Sequence, residues 1–185
     1  RHADSAAAAP SVRDHDRPIS ALGQRQAADA AAKLAALGWV PEVVLASNAR
    51  RTRQTLEAMT DGLPGLEDAD THMYGSLYTI AALDGQTRQH IEECLLEVVP
   101  DRVTCVAVVG HNKGMEEAAS SMAGAAVKLT PGSAALMEVA ATSWKDVLGD
   151  HKAELKKGIK DEDWSTHRGV TWRLESVITP AEASA

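Results

Sequence analysis

The sequence predicts an α/β fold: a single three-layer domain over residues 1–185, with a mostly parallel central sheet flanked by helices. Three observations carry this. Val103-Thr104-Cys105-Val106-Ala107-Val108-Val109 is an apolar, β-branched run closed by Gly110, the pattern of a strand buried on both faces. Strand-like and helix-like stretches alternate along the chain, as a parallel sheet with crossover helices requires. At 185 residues the chain can bury one sizeable core but not comfortably two.

Taken in order, Ala3 to Ser11 reads as a small-residue loop, and the charged stretch Val12 to Pro18 as non-helical because it runs into a proline. Ser20 is the expected N-cap of a helix to Leu37, with Leu22, Ala27, Ala30, Leu34 and Leu37 on one face and Gly38 as its stop. Pro41 to Ala46 is a strand, Ser47 a cap, and Ala49 to Met59 the next helix. Asp61 to Asp70 reads as a surface connection. Tyr74 to Leu83 is ambiguous between strand and helical turn. Gln86 to Val99 reads as a helix burying Ile91, Leu95 and Val98. After the Val103 strand come a helix from Gly114 to Met122, a stop at Gly124 and a strand from Ser133 to Val139. The polar, lysine-rich stretch 146–168 reads as a surface insertion, 169–179 as an edge strand with one wet face, and 180–185 as a tail.

Composition narrows the function classes. A net charge of -7 argues against a nucleic-acid partner, which needs basic stripes that this chain lacks. No apolar run is long enough to suggest a membrane span. Cys94 and Cys105 are expected as buried free thiols in an intracellular, reducing compartment; cytoplasm and organelle interior are not distinguished. His72, His90, His151 and His167 show no metal-ligand spacing. Gly110-x-x-x-Gly114 lacks the Lys-Ser/Thr of a nucleotide-binding loop. Neither a metal nor another cofactor is implied. Lys152 to Lys160 reads as a solvated face, with an assembly contact through 146–168 as the sharper alternative.

Three features converge on predicted strand ends: Arg1-His2, Ser47 through Arg51, and Gly110-His111-Asn112. Together they gather two histidines and at least two arginines into a positive pocket of an acidic protein. Arginine forks and helix N-termini suit a phosphoryl group. An imidazole there can attack phosphorus and hold the phosphoryl group covalently, while the cations stabilise charge on the equatorial oxygens. Each piece alone reads as well as a polar turn after a strand or an ordinary capped helix.

In these motifs the chain resembles the histidine phosphatase, or phosphoglycerate-mutase-like, superfamily. Arg1-His2-Ala3 is similar to its Arg-His-Gly signature. The segment Asp16 to Gly23 resembles its Arg-Pro-Leu-Ser/Thr-x-x-Gly element. Ser47 to Thr55 resembles the Ser-Pro-x-x-Arg-Ala-x-Gln-Thr block, with Asn48 in place of the proline. Gly110-His111-Asn112 is similar to the second histidine motif. Compact length and Leu77-Tyr78 resemble the SixA-type phosphohistidine phosphatase branch, and Tyr78 to Thr87 its plant and algal members. The resemblance implies that His2 is the nucleophile and that Arg1, Arg51 (not Arg50) and His111 hold the phosphoryl group. Ser47 and Asn112 are expected at the substrate.

The resemblance implies a metal-independent phosphatase acting on phosphohistidine or another small phosphorylated target, protein or metabolite. A small-metabolite phosphomonoesterase is the alternative enzyme, and a weakly active structural or binding subunit of a larger assembly the alternative class. The family's glutamate acid has no match here. Asp84, Glu67 and Asp70 are the candidates for it, and each reads better as a surface or turn carboxylate. The asparagine that many relatives place soon after the first histidine is replaced by Ala6 to Ala9. The family signature follows a central strand, so the sequence reading expects residues before Arg1 in the natural protein.

Overall fold

The computed structural model describes residues 1–7, 10–79, 87–148 and 172–180. The sheet is built around Val43–Ser47 (β1), five consecutive buried residues. Its side chains alternate between two helix layers, as the pleat requires. Val43 and Leu45 join Ile91, Leu95, Met115 and Ala118 on one face, while Val44 and Ala46 meet Ala31, Leu63 and Leu66 on the other. Burying one such leucine or valine is worth about 1.5–3 kcal/mol. β1 is therefore the axis of the fold.

Two strands lie beside it, Asp70–Tyr74 (β2) and Val106–Val109 (β3), both parallel to β1 and in the order β2-β1-β3. The helices of the parallel layer are Ala21–Leu37 (α1), Arg50–Met59 (α2), Ser76–Thr79 (α3), Thr87–Val98 (α4) and Asn112–Ala123 (α5). Ser20 caps α1 by accepting from the Gly23 N–H at 3.0 Å, and Gly38 closes it at φ 73°, a left-handed conformation suited to glycine. Ala134–Glu138 (β4) pairs antiparallel with Arg173–Ile178 (β5) in a separate two-stranded sheet, and the short Trp144–Leu148 helix (α6) lies between them in the chain. A largely apolar cavity of about 630 Å³ lies between β3 and β4, with Val106, Val108, Ala135, Met137, Val147 and Trp172 in its walls.

The α/β architecture agrees with the sequence, but several local expectations do not. Asp70–Tyr74 is a strand inside a stretch read partly as surface connection and partly as ambiguous. Its neighbours Leu63 and Leu66 are buried against β1. Residues 14–16 form a 3-10 turn although Pro18 follows. Leu37, the last residue of α1, is exposed. β3 starts at Val106 and is half-buried along its length: it is the margin of the three-stranded sheet and faces the cavity. Cys105, just ahead of it, is half-buried where full burial was expected, whereas Cys94 is buried. Val147 and Leu148, inside the supposed surface insertion, are buried in the main core. The rest of 146–168, including the suggested assembly contact and the lysine cluster, falls outside the described residues, as do 169–171 and most of the tail.

The register fixes where chemistry can sit. Ala46 pairs with Val109, so Ser47 and Gly110 leave the sheet side by side at its carboxyl end. Residues 1 and 2 lie between that end and the turn before β4. His2 donates its N–H to the Gly110 carbonyl at 3.1 Å, and Gly132 donates to the His2 carbonyl at 3.0 Å. The Arg1 nitrogen donates to Ser133 O at 2.9 Å.

Candidate active site

Backbone contacts first place the His2 side chain. The N–H of Ala3 donates to Thr55 Oγ1 at 3.0 Å, and that hydroxyl in turn donates to the Arg51 carbonyl. Asp4 is held by the start of α1: its carbonyl accepts from Ser20 N–H, and its own N–H donates to Gln26 Oε1. The two chains pass so closely that a Cβ on Gly23 would collide with the Asp4 carbonyl oxygen. Glycine is required there by space rather than by φ. The loop after His2 is thus clamped between α1 and α2.

Arg51 links the buried groups. The first two turns of α2 bring Arg51, Thr52 and Thr55 inward and leave Arg50 exposed. Arg51 Nε donates to His2 Nε2 at 3.1 Å, and its NH2 lies 3.1 Å from His111 Nδ1. His2 Nδ1 stands 2.7 Å from the Ala3 carbonyl, and His111 Nε2 stands 2.9 Å from Ser47 Oγ. A guanidinium can only donate, and the Ala3 carbonyl can only accept. His2 therefore carries its proton on Nδ1, and His111 carries its own on Nε2 and donates to Ser47. The unprotonated Nε2 of His2 faces Arg51.

Electrostatics keep both rings neutral. His2 is 8% exposed and His111 8%. Burial lowers the His2 pKa to about 4, with the Arg51 and Arg1 charges adding to it against the Ala3 hydrogen bond. For His111, burial and then Arg51 lower it to about 3. The two ring centroids are 5.0 Å apart, in contact, and Arg51 bridges their unprotonated nitrogens.

The remaining sequence-predicted residues fare unevenly. Ser47 is fully buried but does not cap α2; Ala49 holds that position without a side-chain cap, and Ser47 Oγ accepts from its N–H at 3.3 Å. Asn112 opens α5 after His111, and its Oδ1 is buried without a hydrogen-bond partner. Arg1 reaches His2 by charge rather than by contact. Its guanidinium donates to Leu129 O at 2.8 Å, and its Nε is buried unpartnered. Asp84 falls outside the described residues. Asp70 and Glu67 are corrections: Asp70 pairs in register with Val43, the first residue of β1, and Glu67 is exposed in the turn just before it. Both belong to the amino end of the sheet, away from Ser47 and His111.

Sequence reading missed Asp14. Its carbonyl accepts from Arg51 NH1 at 2.6 Å, and its Oδ2 accepts from Arg51 NH2 at 3.0 Å and from the Tyr78 hydroxyl at 3.0 Å. Arg17 NH1 donates to its Oδ1 at 2.9 Å. These donors, Arg17 foremost, lower its pKa to about 2. The signal was present: Arg13 with Asp16 and Asp14 with Arg17 are opposite charges three residues apart, the spacing that one tight turn brings together. Tyr78 and His15 complete the outer wall. The Tyr78 ring stands edge-on to His111 at 5.2 Å and to His15 at 5.1 Å, and the Arg51 guanidinium lies 5.7 Å from its centroid. Among the described residues, no group of three His, Cys, Asp or Glu side chains could hold a metal ion, and no helix is long and apolar enough to cross a membrane.

Comparison with known proteins places this geometry. Residues 1–72 match the histidine phosphatase superfamily (branch 1). An uncharacterized chloroplastic protein of Arabidopsis thaliana is 42% identical over 180 residues, 97% of this chain and 75% of the relative. A protein assigned as the phosphohistidine phosphatase SixA of Agrobacterium tumefaciens is 26% identical in sequence. It superposes with a TM-score of 0.59, covering 97% of this chain and 94% of its own. A protein assigned likewise from Nakamurella multipartitia shares the fold at 24% identity and a TM-score of 0.62, covering 98% and 93%.

Proposed function

Because the chain belongs to the histidine phosphatase superfamily, we propose that it is a phosphatase that forms a phosphohistidine on His2. One observation carries the reading: His2 Nδ1 is fixed on the Ala3 carbonyl, so a neutral Nε2 faces Arg51 inside a buried, cationic pocket. A phosphoryl group entering there replaces the Arg51–His2 bond and takes donors from Arg51 and from the His111 Nε2–H, which leaves Ser47 Oγ to reach it. Asn112 and Ser47 lie beside it, and the Arg1 charge adds to the field.

The lone pair of His2 Nε2 attacks phosphorus, and the bond from phosphorus to the leaving atom breaks with its electron pair. Arg51 and His111 stabilise the equatorial oxygens as the group passes in line. Water then attacks the phosphohistidine, the P–N bond breaks back onto Nε2, and inorganic phosphate leaves. No step calls for a metal. SixA-type structural likeness favours phosphohistidine, or another small phosphorylated target, as substrate. The chloroplastic relative favours an organelle interior as the compartment.

Incubation with a labelled phosphodonor tests this. The expected product is an acid-labile, alkali-stable phosphoprotein that is absent from His2→Ala. A wild-type protein that takes no label and turns over neither phosphohistidine peptide nor simple phosphoesters would overturn the proposal.

A further inference from the structure

A phosphatase of this kind needs a proton for its leaving atom, and the carboxylates Glu67 and Asp70 stand at the wrong end of the sheet. Among the described residues, the outer side of Arg51 is bordered by Asp14, His15, Asp16 and Tyr78. Asp14 accepts from Arg17, Arg51 and Tyr78 and carries no proton. Asp16 accepts from His15 and Arg13, which hold it below the usual carboxylate range. Tyr78 already donates to Asp14, and giving up its proton would set a phenolate against that carboxylate. One group is left.

His15 is arranged to carry a proton. Its Nδ1 stands 3.1 Å from Asp16 Oδ1 and its Nε2 stands 2.9 Å from Asn48 Oδ1. Both neighbours are acceptor oxygens, so both contacts are hydrogen bonds only when each ring nitrogen bears a hydrogen. Asn48 occupies the position where the family block has proline, which has no side-chain acceptor to hold the Nε2 proton. The ring stands edge-on to Tyr78, and Tyr78 stands edge-on to His111. His15 is thus on the pocket wall and one aromatic ring removed from the phosphoryl site.

We propose that His15, oriented by Asp16, is the proton donor to the leaving group, an inference that rests on the phosphatase reading above. As the bond from phosphorus to the leaving atom breaks, that atom takes the electron pair and the Nε2 proton of His15, which moves off Asn48. His15 is left neutral. In the second half of the reaction, water gives a proton to His15 Nε2 while its oxygen attacks the phosphohistidine. The imidazolium is restored and the P–N electron pair returns to His2. Asn48 receives the proton-bearing nitrogen again when phosphate leaves.

Leaving-group dependence tests the assignment. An alkyl phosphate such as ethyl phosphate needs its leaving oxygen protonated, whereas 4-nitrophenyl phosphate releases a stable phenolate unaided. In His15→Ala, kcat/KM on ethyl phosphate is expected to fall by about 10²-fold or more, the usual weight of a general acid. The value on 4-nitrophenyl phosphate should stay close to wild type. Asp16→Asn should show the same bias at smaller size, since it misplaces the donor without removing it. Equal falls on both substrates, or no fall on either, would overturn the role of His15. Labelling of His2 in the same preparations separates the two claims. A wild type that takes no label defeats the phosphatase reading, and the assignment of His15 with it. Labelling with equal falls defeats the His15 assignment alone.

Discussion

The floor of the pocket and its rim hold their polar groups in different ways. On the floor, His2, Ser47, Arg51 and His111 are all under a tenth exposed and bonded to one another. On the rim, the Asp14 side chain is 53% exposed, and it binds partners that come from a charged loop, α2 and α3. Strand ends and helix starts set the floor, and each polar atom there has few places to go. The rim is set by side chains that water can replace. The floor should therefore be brittle and the rim forgiving.

The largest contrast is expected in catalysis. Arg51→Ala removes the donor shared by both histidines and should cost about 10²–10³ in kcat/KM, the range seen when one transition-state donor is lost. Asp14→Asn keeps the backbone carbonyl that holds Arg51 NH1 and retains an acceptor oxygen. Steady-state kinetics on one phosphoester should show less than about a tenth of that effect. Comparable losses would mean that the rim positions Arg51 as firmly as the floor does.

The two regions also differed in how far the sequence revealed them. Ser47 and His111 were legible because apolar, β-branched runs end just before them, and strand ends in parallel sheets are where sites form. Arg51, as against Arg50, followed from the likeness of Ser47 to Thr55 to the family block. His2 was visible only through family resemblance, since nothing local marks an Arg-His dipeptide. Asp14 was marked only by opposite charges three residues apart: in Arg13-Asp14-His15-Asp16-Arg17 every residue is polar, and periodicity cannot say which turns inward. The same limit hid β2, whose Asp70-Thr71-His72 start looks like a loop. It is an edge strand that needs only one partner to satisfy its ladder. Leu63 and Leu66 were misread for a related reason, because glycines, a proline and acidic residues around them masked two fully useful core positions.

The second contrast is in pH dependence, and its sign differs between the regions. In the folded floor His2 protonates near pH 4 and His111 near pH 3, while an unfolded chain takes up the proton near the ordinary value of about 6.5. Between those values the unfolded state binds more protons, so stability falls as pH drops below about 6.5. For His2 alone the loss is of the order of 3 kcal/mol by pH 4. Asp14 contributes in the usual carboxylate direction. Its stabilisation is complete above the unfolded value and is lost only as pH falls toward about 2. Exposure keeps that contribution to about 1 kcal/mol or less. Urea midpoints measured from pH 7 to 4.5 should therefore flatten in His2→Gln and keep the wild-type slope in Asp14→Asn. Equal slopes in all three proteins would contradict the burial that defines the floor.

The smallest effect comes from two single-hydroxyl deletions, one in each region. Ser47→Ala leaves the His111 Nε2–H facing a buried space with no acceptor. A buried donor left unsatisfied costs about 1–3 kcal/mol. Tyr78→Phe removes one of the donors to an exposed carboxylate that keeps Arg17 and Arg51, and water can take the vacated lone pair. About 0.5 kcal/mol is expected for that loss. Both substitutions delete one oxygen and preserve shape, so thermal or chemical denaturation compares the sites directly. A Tyr78→Phe loss as large as that of Ser47→Ala would show that the rim bonds are as unreplaceable as those of the floor. The distinction would then rest on position in the sheet and not on access to water.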